Sequence, residues 1–418
     1  MGDYDEAIAA AQRALAHIED PNGIDCMPCT AAHLAWGHAL QLTGTYAEAQ
    51  RQLEAALTLA QAHDLPDLES AGWLHLSRVH LGQGRVVEAL DAGQRALSLS
   101  QQTGHRQNEA DSLTAIGTAH YVRKAHDAAR AYFDQALAHL REMGDRHREA
   151  RLQNNIGNCL AEMGDYTTAT QYYTAALAVH RDTGRRRAEG IVLNNLAALA
   201  WSQGDLANAW ELYEAALAIA REIQDREGEA LVRSNTSLVA LLDGQAERAA
   251  ALATEVLPLT RALGDRYTEG QTLMRLGLAL TALDHFAAAE GPLAEALAIH
   301  ESLETPPLIL EARAALAHHW LRRGDVARAQ DYVETILAAL AQDPEALHGA
   351  DEPFRVHWTC VRVLQAAGDP RASQVLADAA AALDAQAARI QDPVLRASFL
   401  ENLAVHRELW DTGGRRNV

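Results

Sequence analysis

The chain of 418 residues holds a single lysine, Lys124, within "YVRKAHD", and no glycine-rich loop precedes it. A phosphate-binding loop places its lysine directly after a GxxxxG run, so a Walker-type nucleotide site is excluded. Nor does Lys124 suit a Schiff base, because it falls at an exposed turn position that glycine fills elsewhere in the chain. Basic stripes are missing too. The formal net charge is −20, which argues against nucleic acid as a partner and favours one with basic or mixed segments. The densest basic cluster, "GRRRAEG" at 184–190, reads as a solvated turn beside Glu189. No apolar run reaches the ~18 residues that a spanning helix needs, and no basic-then-apolar segment opens the chain. No membrane contact is therefore expected, and a cytoplasmic location is. The four cysteines, Cys26, Cys29, Cys159 and Cys360, are too few and too scattered for a disulfide framework. There is no nucleophile elbow, no HExxH, and no serine or cysteine at a telling distance from a histidine. The chain reads as non-catalytic, with no cofactor implied.

Aromatic residues make up only 5% of the chain against 48% apolar residues overall, an alanine-rich balance that suits closely packed helices. The dominant signal is repetition. "NNIGNCLAEMGDYTTATQYYTAAL" at 154–177 is nearly rewritten as "NNLAALAWSQGDLANAWELYEAAL" at 194–217. A turn glycine stands at Gly44, Gly84, Gly164, Gly204, Gly244 and Gly324, and Lys124 and Asp284 fill the two gaps at the same forty-residue spacing. Five residues past each turn comes an alanine, from Ala49 to Ala329, and thirteen past it a leucine, from Leu57 to Leu337. Such strictness is the signature of a solenoid. Between turns the apolar residues recur at three- and four-residue steps, as in Tyr166, Ala169, Tyr173, Ala176 and Leu177, so each unit is two helices. In the hairpin turns Gly164-Asp165 and Gly204-Asp205, glycine accepts a left-handed backbone and aspartate caps the next helix. Turns between units read "GDR" at 144–146 and 264–266.

Gly157, Leu160, Ala169, Tyr173 and Ala176 fall where a tetratricopeptide repeat has its small, large, alanine, aromatic and alanine residues, and the chain resembles an array of such repeats. The usual unit is about 34 residues. The longer unit here, with a glutamate at Glu69, Glu109, Glu149, Glu189, Glu229 and Glu269, is similar to the extended repeats of kinesin light chains and of a spindle-orientation scaffold. The closing stretch "QVLADAAAALDAQAARIQDPVLRASFLENLAVHRELW" resembles the end of the repeat-rich C-terminal regions of bacterial signal-transduction NTPases, cyclases and transcriptional activators, where the repeats serve as a sensing or docking arm. The resemblance implies an all-α, right-handed superhelical solenoid of about nine helical hairpins plus C-terminal helices. The expected layout is a half repeat over 1–20, the solenoid over 21–340, a degenerate repeat with capping helices over 341–410, and a disordered tail over 411–418. Because "MGDYDEAIAAAQRAL" matches only the second helix of a unit, the chain is expected to be a domain cut from a longer effector protein.

In this family the first helix of each unit lines the concave groove. Asn154 and Asn155, Asn194 and Asn195, and Ser234 and Asn235 occupy groove positions in three consecutive units. An amide both donates and accepts, so a ladder of them can hold the backbone of an extended peptide. The same amides can instead tie neighbouring helices together. By the same register Arg151, Asn158, Glu162, Thr118, Tyr121, Trp201, Met274 and Arg275 face inward. Trp201 offers an anchor or merely packs between helices. Arg151 and Arg275 can meet a ligand carboxylate unless Glu149, Glu189 or Glu269 neutralises them. His80, His120, His318 and His319 read as interior packing histidines. "CMPCTAAHLAWGH" offers zinc-type donors in Cys26, Cys29 and His33, but His33 and His38 lie about 140° apart on a helix, so loop thiols are preferred over a metal site. The sequence thus points to a scaffold or sensor arm that binds a protein or peptide segment. The alternatives are a receptor for a small signalling peptide or metabolite, and a self-association module or contact with an attached effector domain.

Overall fold

The structure, a computed structural model, describes residues 26–413, together with 6, 8–13 and 15. The expected half repeat over 1–20 falls largely outside those residues, as do residues 414–418 of the expected tail. Among the described residues there is no strand, and the chain divides into two compact units, residues 1–163 and 164–418. The first unit contains α1 (Cys26–Leu42), α2 (Tyr46–Ala62), α3 (Pro66–Gly82), α4 (Val86–Thr103), α5 (Arg106–Val122), α6 (His126–Met143) and α7 (Arg146–Glu162). The second begins with α8 (Tyr166–Asp182), α9 (Arg186–Ser202), α10 (Leu206–Glu222), α11 (Arg226–Leu242), α12 (Ala246–Leu263), α13 (Arg266–Ala282) and α14 (Phe286–Ser302). It continues with α15 (Pro306–Arg322), α16 (Val326–Gln342), α17 (Pro353–Ala366), α18 (Arg371–Arg389), α19 (Pro393–Glu401) and α20 (Ala404–Thr412).

A left-handed turn sets this order. From Gly44 to Gly324 the backbone takes positive φ every twenty residues, and where glycine is missing Asp64, Lys124, Gln224, Asp284 and Glu304 adopt φ of 50–60° instead. A residue with a Cβ gives up about 1 kcal/mol there, a cost the packed helices on both sides absorb. The next member of the series is Pro344. Its ring holds φ near −65°, so the turn cannot form. α16 stops at Gln342, Asp343 is extended (φ −138°, ψ 102°), and the chain follows an irregular path to Glu352 before α17 begins.

Two further devices recur with the turns. Asp145, Asp165, Asp205, Asp225, Asp265 and Asp325 each accept a hydrogen bond from the backbone N–H three residues on, at 3.0–3.3 Å. Such a cap contributes about 1 kcal/mol. The glutamate ladder proves to be a strap. Arg141, Arg181, Arg221 and Arg261 donate to Glu149, Glu189, Glu229 and Glu269 eight residues later at 2.8–3.2 Å, and Gln61 and Gln101 reach Glu69 and Glu109 in the same way. Each strap ties the end of one repeat to the first helix of the next. The basic cluster after Gly184 is likewise engaged, Arg186 with Glu189 at 2.6 Å and Arg187 with Asp225 at 3.0 Å.

The core follows the forty-residue period. All eight packing alanines from Ala49 to Ala329 are fully buried, and His80, His319 and Trp320 join the interior as expected. Burial holds the His318 imidazole down at about 4. Helices approach closely where side chains vanish: a Cβ on Gly277 would lie 2.4 Å from Leu293 Cγ. At the end of the second unit the last helices return to its first turns. Asn402 Nδ2 donates to the Gly204 carbonyl at 3.0 Å, and Gln386 bonds the Tyr166 hydroxyl. A Cβ on Gly204, whose φ is +75°, would stand 2.3 Å from the Ser398 carbonyl oxygen.

Candidate ligand-binding face

In the second unit the first helices of successive repeats, α9, α11, α13 and α15, pack side by side. Positions separated by forty residues therefore line up across them. Asn194 and Asn195 on α9 and Asn235 on α11 are half-buried. Asn235 Nδ2 donates to Asn194 Oδ1 at 3.0 Å, and Asn194 Nδ2 to Asn195 Oδ1 at 3.4 Å. The amides are thus brought together as a row, and they also tie α9 to α11. Beside them stand two exposed apolar side chains, Ile191 (52% exposed) and Leu231 (36%). Sequence reasoning missed this pair, although both continue the register of Arg151 at forty-residue steps.

Ser234 and Met274 depart from the expectation. Ser234 is fully buried, its hydroxyl paired with Thr272 Oγ1 at 2.7 Å and with Arg275 Nη1 at 2.7 Å, so it supports the face from beneath. Met274 is buried in the apolar cluster that α12 to α15 build and does not face inward. Trp201 is half-buried against the Tyr213 hydroxyl, and burial pushes that phenol up. In the first unit Arg151 is exposed on α7, where Asn154, Asn155 and Asn158 are half-buried. Tyr121 meets His126 edge-on with ring centres 5.3 Å apart.

Arg275 does reach a carboxylate, but not the one expected. Glu269 is held by Arg261 at 2.8 Å and Arg266 at 2.6 Å. Arg275, only 2% exposed, gives Nη2 to Asp351 Oδ2 at 2.9 Å, while Nη1 also lies 3.3 Å from Asn235 Oδ1. Gln271 Nε2 donates to the same Asp351 oxygen at 3.2 Å. Asp351 belongs to the irregular segment after Pro344. That segment buries Ala346 and Leu347 against α15 to α17 and seats the Glu352 amide on Glu311 Oε1. Glu311 is fully buried, its Oε2 without a partner among the described residues, and burial together with the nearby Asp351 charge raises its pKa well above the usual carboxylate range. Arg355 lies beside Glu352 at 2.8 Å. A polar chain consequently runs from Asn195 through Asn194, Asn235 and Arg275 to Asp351.

The zinc-type donors Cys26, Cys29 and His33 all stand on α1. Cys26 opens α1, but its side chain lies outside the described residues. His33 places Nδ1 2.8 Å from Gln52 Oε1, and the His38 ring lies tilted by 33° against His75 with ring centres 4.3 Å apart. Cys159 and Cys360 are fully buried, which raises both thiols to about 12. No helix among the described residues is long and apolar enough to cross a membrane.

A tetratricopeptide repeat profile matches residues 68–142, 109–182, 148–222 and 188–262, and a second matches 270–304, together more than half of the chain. Curated protein sequences give no match. Among solved structures the chain is similar to the apo form of the quorum sensor NprR from B. thuringiensis, at 16% identity and TM-score 0.58, over 81% of this chain and 98% of that one. It is also similar to the Rap conjugation gene regulator of the plasmid pLS20 in complex with the Phr* peptide, at 17% identity and TM-score 0.56, over 87% and 97%. A signal-transduction ATPase with numerous domains and a tetratricopeptide repeat sensor, from Pyrococcus horikoshii, matches at 15% identity and TM-score 0.56, over 84% of this chain and 52% of that one. At such identities these likenesses speak for the helical solenoid fold.

Proposed function

Since the chain belongs to the tetratricopeptide repeat family, we propose that it is a non-catalytic scaffold or sensor arm that holds an extended protein or peptide segment on the first-helix face of its second unit. The observation that carries this reading is the alternation of the row Asn194, Asn195 and Asn235 with exposed Ile191 and Leu231. Amides satisfy the backbone of an extended chain at both donor and acceptor, and the apolar neighbours give its side chains a surface to leave water on. The similar Rap regulator was solved with a peptide, and the similar NprR is a quorum sensor, which supports a peptide as the ligand. An attached output domain, as in the multidomain ATPase with its repeat sensor, accords with the sensor-arm role. The acidic net charge of −20 favours a segment with basic residues.

The test compares proteins and peptides captured from a lysate of the source organism by the native chain and by an Asn195→Ala/Asn235→Ala variant whose helicity is verified. The expected outcome is a peptide segment retained by the native chain and lost by the variant. Equal retention would leave the amides as interhelical ties and sink the reading. Asn155→Ala, made separately, asks whether the equivalent position on α7 of the first unit contributes.

A further inference from the structure

Arg275 is a buried guanidinium whose Nε has no hydrogen-bond partner among the described residues, and the carboxylate it pairs with comes from outside the repeat pattern. Asp351 lies 76 residues further along the chain, in a segment that exists because Pro344 cannot make the next left-handed turn. The consequence is visible on α13. Residues 268–279 of this helix are buried without interruption, whereas Ile191 and Leu231, in the register of Gln271, are exposed on α9 and α11. The donors aimed at Asp351, Nη2 of Arg275 and Nε2 of Gln271, form a fork for one carboxylate oxygen. That fork continues the amide row directly, through the 3.3 Å contact of Arg275 with Asn235.

We propose that Arg275 and Gln271 form a seat for a peptide carboxylate, and that Asp351 fills this seat as an internal competitor until such a peptide displaces segment 343–352. The proposal deepens the reading above and rests on it: a segment lying along Asn195, Asn194 and Asn235 brings its carboxylate to Arg275. The carboxylate is either the peptide's C-terminus or an acidic side chain. A basic peptide ending in a free carboxylate satisfies both the acidic exterior and this buried arginine.

The experiment titrates the full chain and its Asp351→Ala variant with three N-acetylated alanine pentapeptides: one with a free C-terminus, one amidated with a central aspartate, and one amidated without it. The expected result is that a carboxylate-bearing peptide binds the variant about tenfold more tightly than the native chain, because the internal competitor is gone. The uncharged peptide gains nothing. Preference for the free terminus or for the aspartate identifies which carboxylate is read. Equal binding of charged and uncharged peptides, or no gain in the variant, overturns the proposal. Should Asp351→Ala fail to fold, Asp351→Asn keeps the shape and removes the charge, and the same titration applies. Hydrogen exchange over 346–350 gives a second readout, since the charged peptide should expose these amides in the native chain and a passive loop would not respond. If the charged probes discriminate while Asn195→Ala still captures every partner, the seat stands and the peptide-groove reading fails. The converse result sinks the seat alone.

Discussion

Within the second unit, α9 and α11 present a face that is half open, while α13 and α15, built on the same repeat, present one that is sealed. The positions correspond at forty-residue steps: Ile191 and Leu231 are exposed, whereas Gln271 and Glu311 are buried. The repeat therefore decides where a side chain stands but not whether it meets solvent. What differs is a neighbour remote in sequence. Segment 343–352 lies over the later first helices, and its Asp351 supplies the countercharge that lets Arg275 remain buried. A tandem array in this way acquires one part able to receive a ligand and another part already occupied.

Removing the cover should give the largest effect. Asp351→Ala leaves Arg275 an unpaired buried charge and is expected to cost about 3 kcal/mol, seen as a lowered urea midpoint. Adding Arg275→Met should recover most of the loss, because an apolar side chain needs no partner. A second pair of substitutions contrasts two turns of the unit. Gly204→Ala introduces both a left-handed alanine and a collision with the Ser398 carbonyl, for a loss of about 2 kcal/mol. Gly244, with φ of +73°, has no described atom within 4 Å of an added Cβ, so Gly244→Ala carries only the backbone cost of about 1 kcal/mol. Equal losses would mean that the C-terminal helices do not rest on Gly204.

The sealed face should also respond to pH. Glu311 has its folded pKa raised by burial, so its protonated form suits the fold. Its contribution is complete below the ordinary carboxylate range and is lost as pH rises through the elevated value. Glu311→Gln should therefore stabilise the chain by about 1 kcal/mol on the alkaline side and by less in mild acid, as thermal melts across pH would show. A variant that follows the native profile would contradict this. On the open face, Ile191→Ser or Leu231→Ser should move stability by no more than about 0.5 kcal/mol while weakening any captured peptide. A larger loss of stability in urea would show that these side chains are packed.

Much of the architecture was legible because its signals are local and repeat. Gly44, Lys124 and Asp284 marked the turns, Asp165 and Asp205 the caps, and Ala49 to Ala329 the core, each within one hairpin. The glutamates are legible as a ladder, but that Arg181, eight residues earlier, holds Glu189 is seen only in the structure. Asn194 and Asn235 were placed on one face, yet their mutual bond was only one of two alternatives. The twenty-residue series of turns carries a further local signal: its next member is Pro344, which forecasts that the array breaks there.

The sequence by itself determined the helices, their order and the register that aligns Asn194 with Ser234 and Met274, because a hairpin's turn, cap and apolar stripe are all specified within forty residues. Only the tertiary structure decided that Asp351 would meet Arg275 and that Asn402 would meet Gly204, 198 residues away. Those contacts join residues that share no period. They form because an irregular segment and a terminal set of helices must bury their own apolar surface, and the surfaces available are those the repeats have already built.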